Sequence, residues 1–168
     1  MGNQWPPYNL KALKNGLDSL ADGVKNQPKE RTDDEQMWLT RFLVVRICGY
    51  LEQVVHETLR EFIEAKSGGL ARTFALSWIE KSRNPSPDNM VGLVGRLDAT
   101  LGESLQALLD ADDKDVLREL SLLLDRRHKI AHGLNEGMNT RKALALKEVV
   151  EKVAEWFFSN LDPTIGRK

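Results

Sequence analysis

Residues 42–63 read FLVVRICGYLEQVVHETLREFI, and this segment sets the fold class. Its apolar positions are Phe42, Leu43, Val44, Val45, Ile47, Tyr50, Leu51, Val54 and Val55. At about 100° per residue these side chains point in nearly every direction around a helix axis. A helix that is apolar on most sides is buried on most sides, so we expect this segment to form the central helix.

The helix that contains this segment has clear start and stop signals. Thr32 in TDDEQ is a good N-cap, and the acidic residues after it suit the first helical turn. KSGG at 66–69 ends the pattern, which makes this the longest helix of the chain. Arg46 and Glu52 interrupt its apolar surface. Either both lie at its less buried edge, or both support a polar site shared with Arg127.

Apolar residues at helical spacing predict further helices on both sides of the central one. The predicted segments are 8–25, 70–82, 90–97, 101–109, 114–132 and about 140–161, with a break near Gly102 between the third and fourth. No segment shows sustained period-two alternation, which would indicate a strand. The chain is therefore predicted to be all-α, with two long core helices and several shorter ones.

Composition restricts the classes of function. The chain has 168 residues, 41% of them hydrophobic, which is enough to bury a single core. Its 24 Lys and Arg against 25 Asp and Glu give a net charge of −1, so any contact with nucleic acid must be local. We divide the chain into an N-terminal helix and linker at 1–31, a helical domain at 32–162 and a tail at 163–168.

The location is expected to be cytoplasmic. The one cysteine, Cys48, lies among apolar residues and is expected to be a buried thiol rather than half of a disulfide. The start MGNQWPPYNL has neither a basic segment followed by an apolar run nor a myristoylation signal. No apolar run is long enough to cross a bilayer, so no membrane partner is expected.

A second segment, LSLLLDRRHKIAHGLN at 120–135, places an arginine on an apolar helical stripe. Arg127 lies near the centre of a sector about 140° wide that runs from Val116 to Leu134, and it is expected to point towards the core. An unpaired buried guanidinium is costly, so Arg127 needs a carboxylate, carbonyls, a polar cavity or an anionic ligand. His128 and His132, one turn apart, share a face.

Structural explanations exist for each of these residues. Ala-His-Gly is typical of a helix C-terminus, with Gly133 as a left-handed cap, and Arg127 could pair with Glu52. The spacing of the two histidines would also suit a metal ion. The chain has no HExxH motif or CxxC pair to supply further ligands, and its third histidine, His56, lies on another helix. We therefore expect no metal site and no cofactor.

The segment from Arg127 to Gly133 resembles the R-x(4–6)-H motif of the HEPN superfamily. Arg126 also satisfies the spacing, but Arg127 is preferred because it matches the apolar face and a polar residue follows it. Residues 42–63 resemble the long early helix of RiboL-PSP-type HEPN domains, and RNPSPDNMVGLVGRL at 83–97 resembles their linker and next helix. The resemblance covers roughly residues 38–158.

The resemblance implies a helical bundle that forms a homodimer, in which two motif-bearing helices face each other across a composite cleft. It also implies metal-independent endoribonuclease activity, as a toxin or in antiviral defence, with an antitoxin or defence-system protein as a possible further partner. The predicted catalytic residues are Arg127, His128 and His132. The predicted RNA-binding residues, which could instead form a plain solvated face, are Arg126, Lys129, Arg141, Lys142 and Lys147.

These residue types suit RNA cleavage. RNA carries its own nucleophile, the 2′-hydroxyl, so cleavage needs a base, an acid and positive charge at the phosphate. Histidine can fill either proton-transfer role near neutral pH, and arginine binds phosphate oxygens in pairs. Two alternatives remain: a non-catalytic module that binds RNA or a nucleotide or dimerises, and a helical interaction protein whose motif is only a helix cap.

Overall fold

The computed structural model describes residues 5–81, 84–134 and 137–165, which form helices and no strand. The elements are α1 (Tyr8–Lys25), α2 (Asp33–Lys66), α3 (Gly69–Lys81), α4 (Pro87–Leu97), α5 (Ala99–Ala131) and α6 (Thr140–Asn160). The expectation of an all-α fold with two long helices is confirmed. None of the helices in these ranges is long and apolar enough to cross a membrane.

Helix α2 is central, as its apolar surface predicts, and it packs against α1, α3, α5 and α6. Its start is a capping box: the Glu35 N–H donates to Thr32 Oγ1 (3.2 Å), and the Thr32 N–H donates to Glu35 Oε2 (2.8 Å). Burial is not complete around the axis, because Phe42 is 52% exposed and Arg46, one turn further on, is exposed as well. These two residues mark the solvent side of α2.

The break between the third and fourth predicted segments lies at Asp98, and the expected break near Gly102 is wrong. Asp98 ends α4 and caps α5, where its Oδ1 accepts from the Thr100 N–H at 2.8 Å. Gly102 lies inside α5, where an added Cβ would sit 2.8 Å from the Cα of Gly95. The glycine therefore serves close packing of α4 against α5 rather than helix termination.

Helix α5 consists of two helical segments joined by non-helical backbone at 111–114. Asp112, Asp113 and Lys114 have positive φ angles between 53° and 64°, which reverses the local handedness of the chain. The second segment begins here, close to the predicted residue 114. It buries Val116, Leu120 and Leu123 in the core and carries the arginine–histidine motif at its far end.

A cluster of four charged side chains joins α1 to α6. Lys14 contacts Asp18 at 2.6 Å and Glu151 at 2.7 Å, and Lys147 contacts the same two carboxylates at 2.7 and 2.5 Å. Burial would raise the pKa of both carboxyl groups, but hydrogen bonds from the two lysines outweigh it and hold each pKa below its usual value. Helix α1 is thereby tied to the same bundle as α6.

Candidate functional site

The motif lies where α5 ends, and a Schellman motif closes the helix there. The Leu134 N–H donates to the Lys129 carbonyl (3.0 Å) and the Gly133 N–H to the Ile130 carbonyl (3.1 Å). Gly133 has φ +70°, so the predicted left-handed cap is confirmed. His132 is the C-cap residue, with φ −90° and ψ 10°, and its position is set by this backbone geometry.

The two motif histidines lie side by side at this helix end. Their ring centroids are 4.3 Å apart and the ring planes are inclined by 59°. Both side chains are exposed. The i, i+4 spacing therefore produces the shared face that it predicts, and both imidazoles can reach a ligand from solvent.

Arg127 lies on the apolar stripe of α5, but its side chain stays outside the buried core. Its side chain is 44% exposed, and Nη2 lies 3.7 Å from Oε1 of Glu52. The apolar stripe extends beyond the buried core at this end of α5, where Ala131 and Leu134 are exposed too. The guanidinium therefore has a nearby carboxylate and access to solvent, and it is not buried without a partner.

Arg127 and His128 line one side of an open cavity of about 500 Å³. Its remaining lining comes from α2, from α5 and from the segment between α3 and α4, and consists of Cys48, Glu52, Asn84 and Leu124. The cavity therefore combines a cation, an imidazole, a carboxylate and an amide beside the exposed end of α5. This is a mixed polar lining of the kind that binds an anionic or polar ligand.

Of the two proposed supporting groups, Glu52 meets Arg127 and Arg46 does not. Arg46 lines a neighbouring cavity of about 690 Å³ between α1 and α2, in which Glu52 forms part of the shared wall. The two residues are six apart on α2, so their side chains point about 120° apart around the helix axis. Arg46 therefore lies at the less buried edge of α2, whereas Glu52 lies beside Arg127.

Arg126 and Lys129 lie on the same helix turn as the motif. Arg126 is partly buried, and Lys129 pairs with Asp125 at 3.1 Å along the helix surface. The Asp125–Lys129 contact has the i, i+4 geometry of a solvated helix pair, which the sequence pattern also indicates. Neither residue lines the cavity that holds Arg127.

The three basic residues of α6 have different surroundings. Arg141 is exposed on the first turn, whereas Lys142 pairs with Glu119 of α5 at 2.6 Å. Lys147 is 15% exposed and belongs to the ion cluster that joins α1 to α6. Of these three cations, Arg141 is exposed, whereas Lys142 and Lys147 are partly buried.

Three lining residues, Cys48, Asn84 and Leu124, are not among the site residues that the sequence suggests. Burial, reinforced by the charge of Glu52 and opposed by that of Arg127, raises the pKa of the Cys48 thiol to about 11, so it stays protonated. Asn84 lies just before α4, where its carbonyl accepts a hydrogen bond from Asn89 Nδ2 (2.5 Å). The one signal for Asn84 in the sequence is its place in the segment that resembles the linker of HEPN domains.

His56 does not join the other two histidines. Its Nδ1 lies 3.2 Å from Oε1 of Glu57, and it lines a separate cavity with Arg60 and Glu64. Within residues 5–81, 84–134 and 137–165, no three His, Cys, Asp or Glu side chains come together in a way that could hold a metal ion. His128 and His132 thus have no third protein ligand in that part of the chain.

Comparison with known proteins agrees with this architecture. The family model for the RiboL-PSP-HEPN domain matches residues 9–161. The match includes nearly all of α1, and so begins earlier than the resemblance seen from residue 38 onward. No curated protein and no solved structure matches the chain. Because the family model covers most of its length, the chain belongs to the RiboL-PSP-HEPN family.

Proposed function

We propose that this protein is a metal-independent endoribonuclease of HEPN type. One observation carries the proposal: Arg127, His128 and His132 lie together at an exposed helix end, and two of them line a polar cavity of about 500 Å³. Cation and imidazole side chains in this arrangement match the needs of phosphodiester cleavage. Membership of the RiboL-PSP-HEPN family supports the same reading.

Arg127 binds the phosphate in this mechanism. Its guanidinium is exposed and can donate two parallel hydrogen bonds to phosphate oxygens. The 3.7 Å separation from Glu52 is longer than a hydrogen bond, so the carboxylate attracts the guanidinium without occupying its donors closely. The positive charge stabilises the additional negative charge that the phosphate acquires in the transition state.

The histidines transfer protons. One imidazole takes the proton from the 2′-hydroxyl as the 2′-oxygen bonds to phosphorus. A second gives a proton to the 5′-oxygen as the bond from phosphorus to that oxygen breaks. We assign His132 to acid–base catalysis and His128 to positioning or to the second transfer. The products are a 2′,3′-cyclic phosphate and a 5′-hydroxyl.

A homodimer is part of the proposal. A two-fold axis beside the exposed end of α5 would bring a second Arg-His set to the same cleft, so that base and acid could come from different protomers. The exposure of Ala131 and Leu134 on this turn is consistent with a covered position in such a dimer. Arg126, Lys129, Arg141 and Lys142 are proposed to contact the RNA backbone near the cleft. Lys147 is left out because it contacts two carboxylates and its side chain is only 15% exposed.

In the cell, we propose that the activity serves as a toxin or in defence against phage, in the cytoplasm. A freely acting ribonuclease would damage its own host, so an antitoxin or a defence-system partner would have to restrain or trigger it. Family membership is the support for this role.

The test is cleavage of total RNA by purified protein in EDTA. Wild type is compared with Arg127→Ala and His132→Ala, and His56→Ala serves as the matched control because it removes a histidine outside the cavity. We expect wild type and His56→Ala to cleave, and the two site variants to lose about 100-fold or more in rate. Fragments should accept a 5′ label from polynucleotide kinase without prior phosphatase treatment, because they begin with a hydroxyl.

The outcomes separate the proposal from the alternatives. If no preparation cleaves but Arg127→Ala binds RNA more weakly than wild type, the cavity is a recognition site without catalysis. Cleavage that survives in folded His132→Ala, or that stops in EDTA alone, would contradict the proposed chemistry. Circular dichroism and thermal melts show whether each variant is folded.

A further inference from the structure

Another cavity, of about 320 Å³, is lined by residues of α2, α3 and α4 and shares none of them with the candidate site. Its floor is formed by Leu59 and Ile63 of α2 and by Ile79 of α3, all of which are buried. Trp78 of α3 and Leu93 of α4 also line it. The cavity is open to solvent, so a ligand can enter without unfolding the bundle.

Helix α3 leaves unusually large apolar side chains beside this opening. Phe74 is 67% exposed and Trp78 43% exposed, and their rings meet edge to face with centroids 6.2 Å apart. Ile79 is the one buried residue of α3. Exposed aromatic side chains around an apolar cavity are typical of a binding site rather than of a solvated helix face.

The cavity has a single charged lining residue, Arg96, at its rim. The guanidinium carbon lies 4.0 Å above the centre of the Trp78 ring, a cation–π contact that fixes the group without neutralising its charge. Among the residues that the structure describes, no carboxylate oxygen lies within 4.0 Å of this guanidinium. Arg96 therefore presents an uncompensated positive charge at the mouth of an apolar space.

We propose that this cavity binds a small apolar carboxylic acid, with the carboxylate on Arg96 and the hydrocarbon on the floor of the cavity. A guanidinium pairs with a carboxylate through two parallel hydrogen bonds. The volume holds about ten groups of the size of water, at ~30 Å³ each. That size fits an acyl chain of about eight carbons or an aryl acid. This site is independent of the proposed ribonuclease activity.

The test is a titration with octanoate, followed by ¹H–¹⁵N correlation spectra and isothermal calorimetry. 1-Octanol has the same chain without the charge, and serves as the matched ligand. We expect octanoate to shift the indole N–H signal of Trp78 and to bind about tenfold more tightly than octanol. Arg96→Met should remove that preference, whereas Arg118→Met, which changes an exposed arginine paired with Asp115, should leave it intact.

A variant that fills the cavity gives a second line of evidence. Ala75 lines the cavity, so Ala75→Phe adds a ring to its wall and should abolish octanoate binding while the protein stays folded. Equal binding of octanoate and octanol, or full binding to Arg96→Met, would overturn the assignment of an anion site. No binding to wild type would do the same, as would a stable dimer in sedimentation velocity that Phe74→Asp dissociates, because a second copy would then cover the cavity.

Discussion

The imidazole rings of His128 and His132 lie 4.3 Å apart at the C-terminal end of α5, with a single helical turn between their backbones. This proximity follows from i, i+4 geometry, but their exposure depends on the helix ending immediately afterwards. The Schellman closure through Gly133 supplies that ending. Placement of the proposed catalytic groups therefore depends on a glycine that has no chemical role of its own.

Gly133→Ala should cause a marked loss of ribonuclease activity but only a small loss of stability. An alanine at φ +70° costs about 1 kcal/mol, which the chain can relieve by unwinding the last turn and moving His132. We expect a decrease of a few degrees in melting temperature and a larger relative loss in cleavage rate.

Gly133→Asn is the control, because asparagine tolerates the left-handed region. It should retain most of the activity. Equal activity of the alanine variant and wild type would show that the helix end does not position His132.

Glu52→Gln should strengthen RNA binding. Oε1 of Glu52 lies 3.7 Å from Nη2 of Arg127, so the carboxylate offsets the charge that would attract a phosphate. Both groups are partly exposed, and the gain is therefore expected to be only about two- to fivefold in affinity.

Fluorescence anisotropy of a labelled RNA at fixed salt measures this effect. Glu57→Gln changes a carboxylate on the same helix that contacts His56 rather than Arg127, and it should leave affinity unchanged. A loss of affinity in Glu52→Gln as large as that of Arg127→Ala would mean that Glu52 chiefly orients the guanidinium.

Gly102→Ala should destabilise the bundle. The new Cβ would lie 2.8 Å from the Cα of Gly95 and 3.2 Å from its backbone nitrogen, so α4 and α5 must separate. Overpacking of this kind costs about 1–3 kcal/mol in the free energy of unfolding.

Gly92→Ala provides the comparison on α4. Nothing lies within 4 Å of its added Cβ, so the higher helix propensity of alanine should raise the free energy of unfolding by about 0.5–1 kcal/mol. Urea denaturation should give a lower free energy of unfolding for Gly102→Ala and a higher one for Gly92→Ala than for wild type. A neutral Gly102→Ala would show that the helices can separate without cost.

Lys147→Met should lower the free energy of unfolding by about 1 kcal/mol at neutral pH. The variant removes two hydrogen bonds to Asp18 and Glu151 from a lysine that is only 15% exposed. Lys152→Met removes a lysine that lies 3.6 Å from an exposed Asp112, and it should have little effect. Similar losses in both variants would argue against a special role for the cluster.

The same cluster predicts a dependence of stability on pH. The pKa values of Asp18 and Glu151 are held below those of the unfolded chain, so their contribution is complete above about pH 4 and is lost as pH falls through the folded pKa values. Thermal melts from pH 7 to pH 3 should therefore show a smaller decrease for Lys147→Met than for wild type. Parallel curves would contradict the assignment.

Local features of this protein could be predicted from the sequence. The capping box at Thr32, the left-handed cap at Gly133 and the shared face of His128 and His132 each depend on residues within four or five positions of one another. Helical geometry alone sets such contacts. The apolar surface of 42–63 likewise predicts the central helix, because burial on several sides needs only the pattern of one segment.

Tertiary structure decided the rest, because contacts between distant segments depend on how the helices pack. Arg127 and Glu52 meet because α5 packs against α2, whereas Arg46 lies about 120° away from Glu52 around α2 and does not reach this cavity. In the sequence, Gly102 suggests a break in the helix. Only the packing of α4 against α5 shows that it lies against Gly95. The sequence by itself determined the helices and the motif, whereas packing determined which side chains share a cavity with Arg127 and that this arginine reaches solvent.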